Sequence, residues 1–139
     1  MPSQSSVIVV GAGLAGLTIA SVVAPQANVE IIEKSAGAGG VWWSTSNALS
    51  RVNSSEPSYR IPGVARTAHN TNHSHQHEIL DDVRRLIEQH GLTRHLHTRC
   101  EVRRVLTSED GGHLVGGLQD TRSFRTACEV LVLATNRRL

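Results

Sequence analysis

The stretch from Val7 to Glu33 constrains this chain more than any other. It opens with Val7-Ile8-Val9-Val10, a short, uncharged, β-branched run of the kind that parallel sheets bury on both faces. Gly11-Ala12-Gly13-Leu14-Ala15-Gly16 follows, a G-x-G-x-x-G pattern. An apolar helical segment then runs from about Leu14 to Val23 and ends before Pro25. A second strand, Val29-Glu30-Ile31-Ile32, delivers Glu33 seventeen residues after Gly16. Each glycine meets a different stereochemical need. Gly11 permits the turn, Gly13 lets the backbone approach a pyrophosphate, and Gly16 lets the helix pack close to the strand. The first-turn N–H groups and the helix dipole then face the phosphates. An acid at position 33 can accept hydrogen bonds from both ribose hydroxyls of an adenosine and repels a 2′-phosphate, so FAD or NAD is expected over NADP. A glycine-rich turn in an ordinary α/β domain is the alternative, and it leaves the four contextual features to coincidence.

Val7 to Ala24 is uncharged and mostly apolar, which raises the question of a membrane segment. No Lys or Arg precedes it, Gly11, Gly13, Gly16, Thr18 and Ser21 dilute it, and a second strand follows at once. No membrane association is expected. The 139 residues suit one domain, and a formal charge of +2 points to no nucleic-acid partner. Of the fourteen basic residues only Lys34 is not Arg, which reads as coding bias. Cys100 and Cys128 do not make a disulfide framework, so a reducing, cytoplasmic location is expected.

The segment after Glu33, Lys34-Ser35-Ala36-Gly37-Ala38-Gly39-Gly40-Val41-Trp42-Trp43, bears on the choice between FAD and NAD. Gly39 and Gly40 can expose backbone N–H groups to a pyrophosphate from the side opposite the first helix. Trp42 or Trp43 can wall an isoalloxazine or its ribityl chain; ordinary core packing is the other use of a tryptophan. An acid ending the second strand and then Gly-Gly-x-Trp resembles the flavin-containing monooxygenases and their Baeyer–Villiger relatives. The resemblance continues through Arg51-Val52-Asn53-Ser54-Ser55, a Pro-rich stretch and an Asn/His-rich segment that opens a helix. It ends at Leu131-Val132-Leu133-Ala134-Thr135-Asn136, where that family has Ala-Thr-Gly. Asn136 stands in place of the glycine and tolerates a left-handed turn better than most residues.

The resemblance implies an α/β, Rossmann-like FAD-binding domain, a parallel sheet carrying a small antiparallel β-meander. It implies a single domain over 1–139, with the NADPH-binding domain absent. It implies FAD contacts at Gly11, Gly13, Leu14, Ala15, Gly16, Glu33, Lys34, Gly40, Val41, Trp42, Asn72, Val102, Ala134 and Thr135, with Val102 acting on the adenine through its backbone. It also implies catalytic positions at Asn53, beside the flavin C4a edge, and at His73. Read without the family, Asn53-Ser54-Ser55-Glu56-Pro57 also suits a plain polar turn.

Seven of the eight histidines lie between His69 and His97. His69/His73 and His73/His77 have a spacing that can chelate a metal on a helix, but no Cys lies nearby and there is no H-E-x-x-H, so no metal site is expected. Ser74 is the expected N-cap of a helix whose apolar stripe is Ile79, Leu80, Val83, Leu86 and Ile87. Asp81 and Arg85 are its outer ion pair and Gly91 its stop. His75 and His77 are expected to be solvated at its start. Beyond it, 95–99 reads as a third parallel strand. Strands at 101–106, 114–118 and 122–126, with a hairpin turn at Asp110-Gly111-Gly112, make the meander, and 130–134 closes the sheet.

No second G-x-G-x-x-G occurs in the chain. The first functional expectation is therefore the FAD-binding half of a split oxidoreductase, which oxygenates a small molecule through a flavin C4a-(hydro)peroxide. A complementary chain would bring NADPH, and a homodimer could cover an exposed flavin. The alternatives are a stand-alone protein with a non-redox role, such as cyclisation or isomerisation by histidine acid–base chemistry, and a chain that only binds nucleotide. The family acts on soft heteroatoms, amines and ketones; nothing in the sequence chooses among them.

Overall fold

A computed structural model describes residues 6–54, 59, 61–65 and 73–135. The Val7–Val10 run becomes strand β1 (Ser6–Val10), which leads into helix α1 (Leu14–Val23) and strand β2 (Asn28–Ile32). A short helix α2 (Val41–Ser44) and a long helix α3 (Gln76–Gln89) follow, then strand β3 (Leu96–His97), strands β4 (Cys100–Thr107), β5 (His113–Gln119) and β6 (Arg122–Cys128), and strand β7 (Val130–Leu133).

Two sheets result. The parallel sheet has the order β3-β2-β1-β7, with Val7 opposite both Val29 and Val130. The antiparallel sheet is the β4-β5-β6 meander. The alternation of β1 explains why its sequence is apolar throughout. Val7 and Val9 pack with Leu17 and Ala20 of α1 and with Val83 and Leu86 of α3. Ile8 and Val10 face the other way, into a cluster with Ile32, Cys100, Val115 and Cys128. Helices cover one face of the parallel sheet and the meander covers the other, so Val7 to Val10 of the central strand are all buried.

Helix α3 carries the expected stripe: Ile79, Val83 and Leu86 are buried, while Leu80 and Ile87 are partly buried. Three local expectations are corrected. The N-cap is His75, not Ser74. Ser74 is buried, and its carbonyl accepts from the Val52 N–H at 2.9 Å, part of a short antiparallel bridge between Arg51 and His75. The Glu78 carboxylate closes the cap on the His75 N–H at 2.7 Å. The outer ion pairs are not Asp81–Arg85. Arg84 bonds Asp81 at 3.4 Å and Glu88 at 3.3 Å, and Arg85 turns instead to Asp82. The third parallel strand has only two residues, because Gly91 enters the left-handed region (φ 61°) and a 3₁₀ turn consumes Leu92–His95. The hairpin at Asp110-Gly111-Gly112 is present, with Gly111 at φ 89° and the Ser108 N–H on the Gly112 carbonyl at 2.9 Å. Among the described residues, no helix is long and apolar enough to cross a membrane.

Candidate nucleotide-binding site

The carboxyl ends of β2, β1 and β7 open into one cavity of about 530 Å³, within the range of small-molecule sites. Its floor is built from glycine. Gly11 lies at φ 104°, and a Cβ there would come within 2.8 Å of the Ala134 carbonyl oxygen, so the turn off β1 can pass under the end of β7 only as glycine. A Cβ at Gly16 would lie 2.0 Å from the Gly11 carbonyl oxygen and 3.2 Å from the Ala134 side chain, which is the close helix–strand approach that the motif requires. On the opposite wall Gly40 adopts φ 58°, and a Cβ on it would reach the Gly13 Cα at 3.0 Å. The two glycine segments therefore meet backbone to backbone. The Gly39 N–H bond to the Ala12 carbonyl, at 2.8 Å, ties them together.

Helix α1 begins at this meeting point. Its N-cap, Gly13, offers no side-chain cap, and the first turn carries no acid. The leading N–H groups, those of Leu14 and Ala15 among them, have no acceptor within the helix. Uncapped N–H groups and the positive end of the dipole thus border a cavity into which an anion fits.

Glu33 occupies the β2 end of the cavity and is buried. One carboxylate oxygen accepts the Ala12 N–H at 2.8 Å and the other the Ser35 N–H at 2.7 Å. The acid therefore locks the glycine turn to the end of β2, and each oxygen keeps a lone pair for a ribose hydroxyl. Lys34, Ser35, Cys100, Glu101 and Val102 complete this end. Burial, reinforced by the charge of Asp120, pushes the Cys100 thiol up from its ordinary pKa, so the thiol is uncharged near neutrality.

The other end is aromatic. Trp42 is 9% exposed and lines the cavity, whereas Trp43 is 48% exposed and does not. Trp43 covers Gly37 instead, where a Cβ would meet its ring at 2.5 Å. The two tryptophans are on a turn of helix rather than in a loop, and this sends them to different surroundings. The Trp42 indole N–H donates to the Tyr59 hydroxyl at 2.7 Å, and Tyr59 also lines the cavity.

Gly11, Gly13, Leu14, Ala15, Glu33, Lys34, Gly40, Val41, Trp42, Val102, Ala134 and Thr135 all line this one cavity. Gly16 lies beneath it as a packing residue. Asn53 and His73 do not line it. Both are exposed, and His73 Nδ1 sits 3.1 Å from the Val52 carbonyl oxygen, one residue before Asn53. His75 and His77 stack on each other with ring centroids 5.4 Å apart. Asn72, His69 and Asn136 lie outside the described residues. Among the described residues no three potential metal ligands come together. Tyr59 and Ser35 are lining residues that sequence reasoning missed. Tyr59 carries no local pattern that marks it.

The model for the NAD(P)-binding Rossmann-like domain matches residues 9–86, more than half of the chain. The chain belongs to that family. Its fold recurs within larger solved structures. Polycyclic ketone monooxygenase from the thermophilic fungus Thermothelomyces thermophila superposes with a TM-score of 0.82 at 18% identity, over 96% of this chain and 24% of that one. S-allyl-L-cysteine S-oxygenase from Allium sativum gives 0.80 at 19% identity, over 94% and 36%. OTEMO in complex with FAD and NADP gives 0.81 at 20% identity, over 98% and 26%. The domain thus has a flavin-monooxygenase-like fold and spans about a quarter to a third of the length of these proteins. No curated protein matches it in sequence.

Proposed function

We propose that the cavity is an FAD site and that the chain is the FAD-binding part of a flavin-dependent monooxygenase. The observation that carries this reading is the convergence of Gly13 and Gly40 at the uncapped start of α1. Backbone approaches the cavity there from two sides, and a Cβ on Gly40 would crowd the Gly13 Cα at 3.0 Å and push the two segments apart. The N–H groups of α1 hold the pyrophosphate, Glu33 orients the adenosine ribose and Val102 borders the adenine. The ring end lies toward Trp42, Ala134 and Thr135. Bound FAD supplies two-electron redox chemistry and reaction with oxygen. The chain's own residues bind, orient and shield it. Similarity to proteins solved with FAD supports this choice over a free nicotinamide nucleotide.

Asn53 and His73 are proposed to reach the flavin edge on the family resemblance alone, since neither lines the cavity. NADPH and the substrate pocket are proposed to come from a complementary chain, or from a second copy that completes the site. A cytoplasmic setting is part of the same proposal, supported by two free, buried thiols.

An absorption spectrum of the purified chain after incubation with FAD and gel filtration tests the reading. A yellow protein with one flavin per chain is expected. A folded but colourless protein sinks it. NADPH oxidation is then expected only on adding the complementary chain.

A further inference from the structure

We propose that the outer face of the meander is a docking surface for an acidic segment of a partner protein, with a carboxylate seated over Gly116 between Arg104 and Arg125. Side chains alternate across the meander. Val105, Val115 and Phe124 pack toward the parallel sheet, so their neighbours Arg104, Gly116 and Arg125 face away from it. These three share one rung, in which Gly116 pairs with Arg104 on one side and with Arg125 on the other. Gly116 is a residue that packing does not explain. Its backbone is not left-handed, and an added Cβ would meet only the Phe124 carbonyl oxygen at 3.7 Å and the Arg125 Cγ at 3.8 Å, both ordinary contacts. At Gly117, by contrast, a Cβ would fall 1.9 Å from a backbone oxygen. A glycine inside a strand weakens it, and where packing does not require the glycine it leaves room for another molecule to come close.

The surroundings say which molecule. The backbones of Arg104 and Arg125 stand about 10 Å apart, two strand spacings. Both residues are exposed, and among the described residues neither is paired with an acid. Glu101, one outward rung along, is held by Arg103 at 2.8 Å. The outward rung on the other side is apolar: Leu106, Leu114 and Ala127 border a depression of about 460 Å³, and both leucines are half-exposed. Two guanidinium groups suit the two oxygens of a carboxylate, and the leucines suit an apolar side chain next to it. A nucleic acid does not fit. Glu101 and Asp120 lie at one end of the meander and Glu109 and Asp110 at the other, so the positive strip is too short to follow a phosphate backbone. Arg104, Gly116 and Arg125 do not line the nucleotide cavity, so this surface is independent of the FAD reading.

The experiment is an NMR titration of the isotope-labelled full chain with a short alternating Glu-Leu peptide and, separately, with the matching Gln-Leu peptide and with single-stranded oligothymidylate. The Glu-Leu peptide is expected to shift the amides of Leu106, Leu114 and Gly116 and to bind more tightly than either of the others. Arg104→Gln and Arg125→Gln are each expected to weaken it about 3-fold, the worth of an exposed ion pair. Gly116→Val fills the space and removes no charge. It should weaken the peptide at least as much as either arginine change, with the urea midpoint unchanged or raised, since a β-branched residue suits a strand. No shift on this face, equal binding of the Gln-Leu peptide, or tighter binding of oligothymidylate overturns the proposal. So does a Gly116→Val chain that keeps wild-type affinity, and so does one that loses stability, because the fold would then have needed the glycine. No nucleotide is present in the titration, so every outcome leaves the FAD reading where it stands.

Discussion

The βαβ unit from β1 to Glu33 and the meander from β4 to β6 flank the same cavity, but they are built by opposite rules. In the βαβ unit the central strand is buried on both faces, and close backbone contact at Gly11 and Gly16 shapes the cavity floor. In the meander one face packs on the parallel sheet through Cys100, Val115 and Cys128. The other carries a series of charged and polar residues, with Leu106 and Leu114 partly exposed. The meander nonetheless has one backbone approach as tight as any in the βαβ unit. Gly117 lies where the β4–β5 register shifts between Val102 and Arg104, and a Cβ there would fall 1.9 Å from the Glu101 carbonyl oxygen. A bulge at that point re-aims one strand, and Glu101 and Val102 are the residues it presents to the cavity. Glycine is thus used twice: to shape the cavity floor, and to bend the strand that closes the β2 end of the cavity.

The contrast makes graded predictions. The largest effect is expected from Gly16→Val, which forces a β-branched side chain against backbone that cannot move away. It should cost about 3 kcal/mol or more in urea denaturation and abolish nucleotide binding. A fully stable variant would break the claim that the βαβ unit is the rigid one. Gly117→Ala should cost about 2 kcal/mol, because the β4–β5 pair must part locally. Its FAD affinity should fall less than that of Gly16→Val, and equal losses would mean that the meander shapes the site as strongly as the floor does. Gly111→Ala tests conformation alone: the position is left-handed, with nothing within 4 Å of an added Cβ. About 1 kcal/mol is expected, with no change in ligand affinity by titration. The smallest effect concerns pH. Burial pushes both the Cys100 and Cys128 thiols above their ordinary value of 9.0. A neutral form favoured by folding stabilises the fold below the unfolded pKa, and that contribution is lost as pH rises through the folded one. The urea midpoint should therefore decline above pH 9 more in wild type than in a Cys100→Ala/Cys128→Ala double variant. Parallel curves would show that the thiols do not contribute.

How much of this was legible in the sequence depended on the range of the interaction. The βαβ unit was readable in order and nearly in its boundaries, since strand, turn and helix each follow from near neighbours. The meander and its turn at Gly111 were readable for the same reason. Errors came where a distant segment or a competing local turn intervened. His75 displaced Ser74 as N-cap because Ser74 was needed to pair with Val52. The third strand shrank to two residues because a 3₁₀ turn preceded it. Arg84, not Arg85, took Asp81, since exposed ion pairs are settled by rotamers and not by spacing alone. The cavity showed the same division: its glycines and its acid were visible, but Tyr59 was not, because its meaning comes from Trp42, seventeen residues earlier.

The amino-acid sequence by itself determined that this chain forms a dinucleotide-type βαβ unit ending in an acid. Chain geometry leaves few alternatives for that order of β-branched strand, glycine turn and helix. Tertiary structure alone decided which side chains share the cavity. It separated Trp42 from Trp43, set both oxygens of Glu33 on backbone N–H groups, and left Asn53 and His73 off the cavity wall. Those outcomes depend on which face each turn of backbone presents once the sheet is covered, and that is settled by packing across the whole domain.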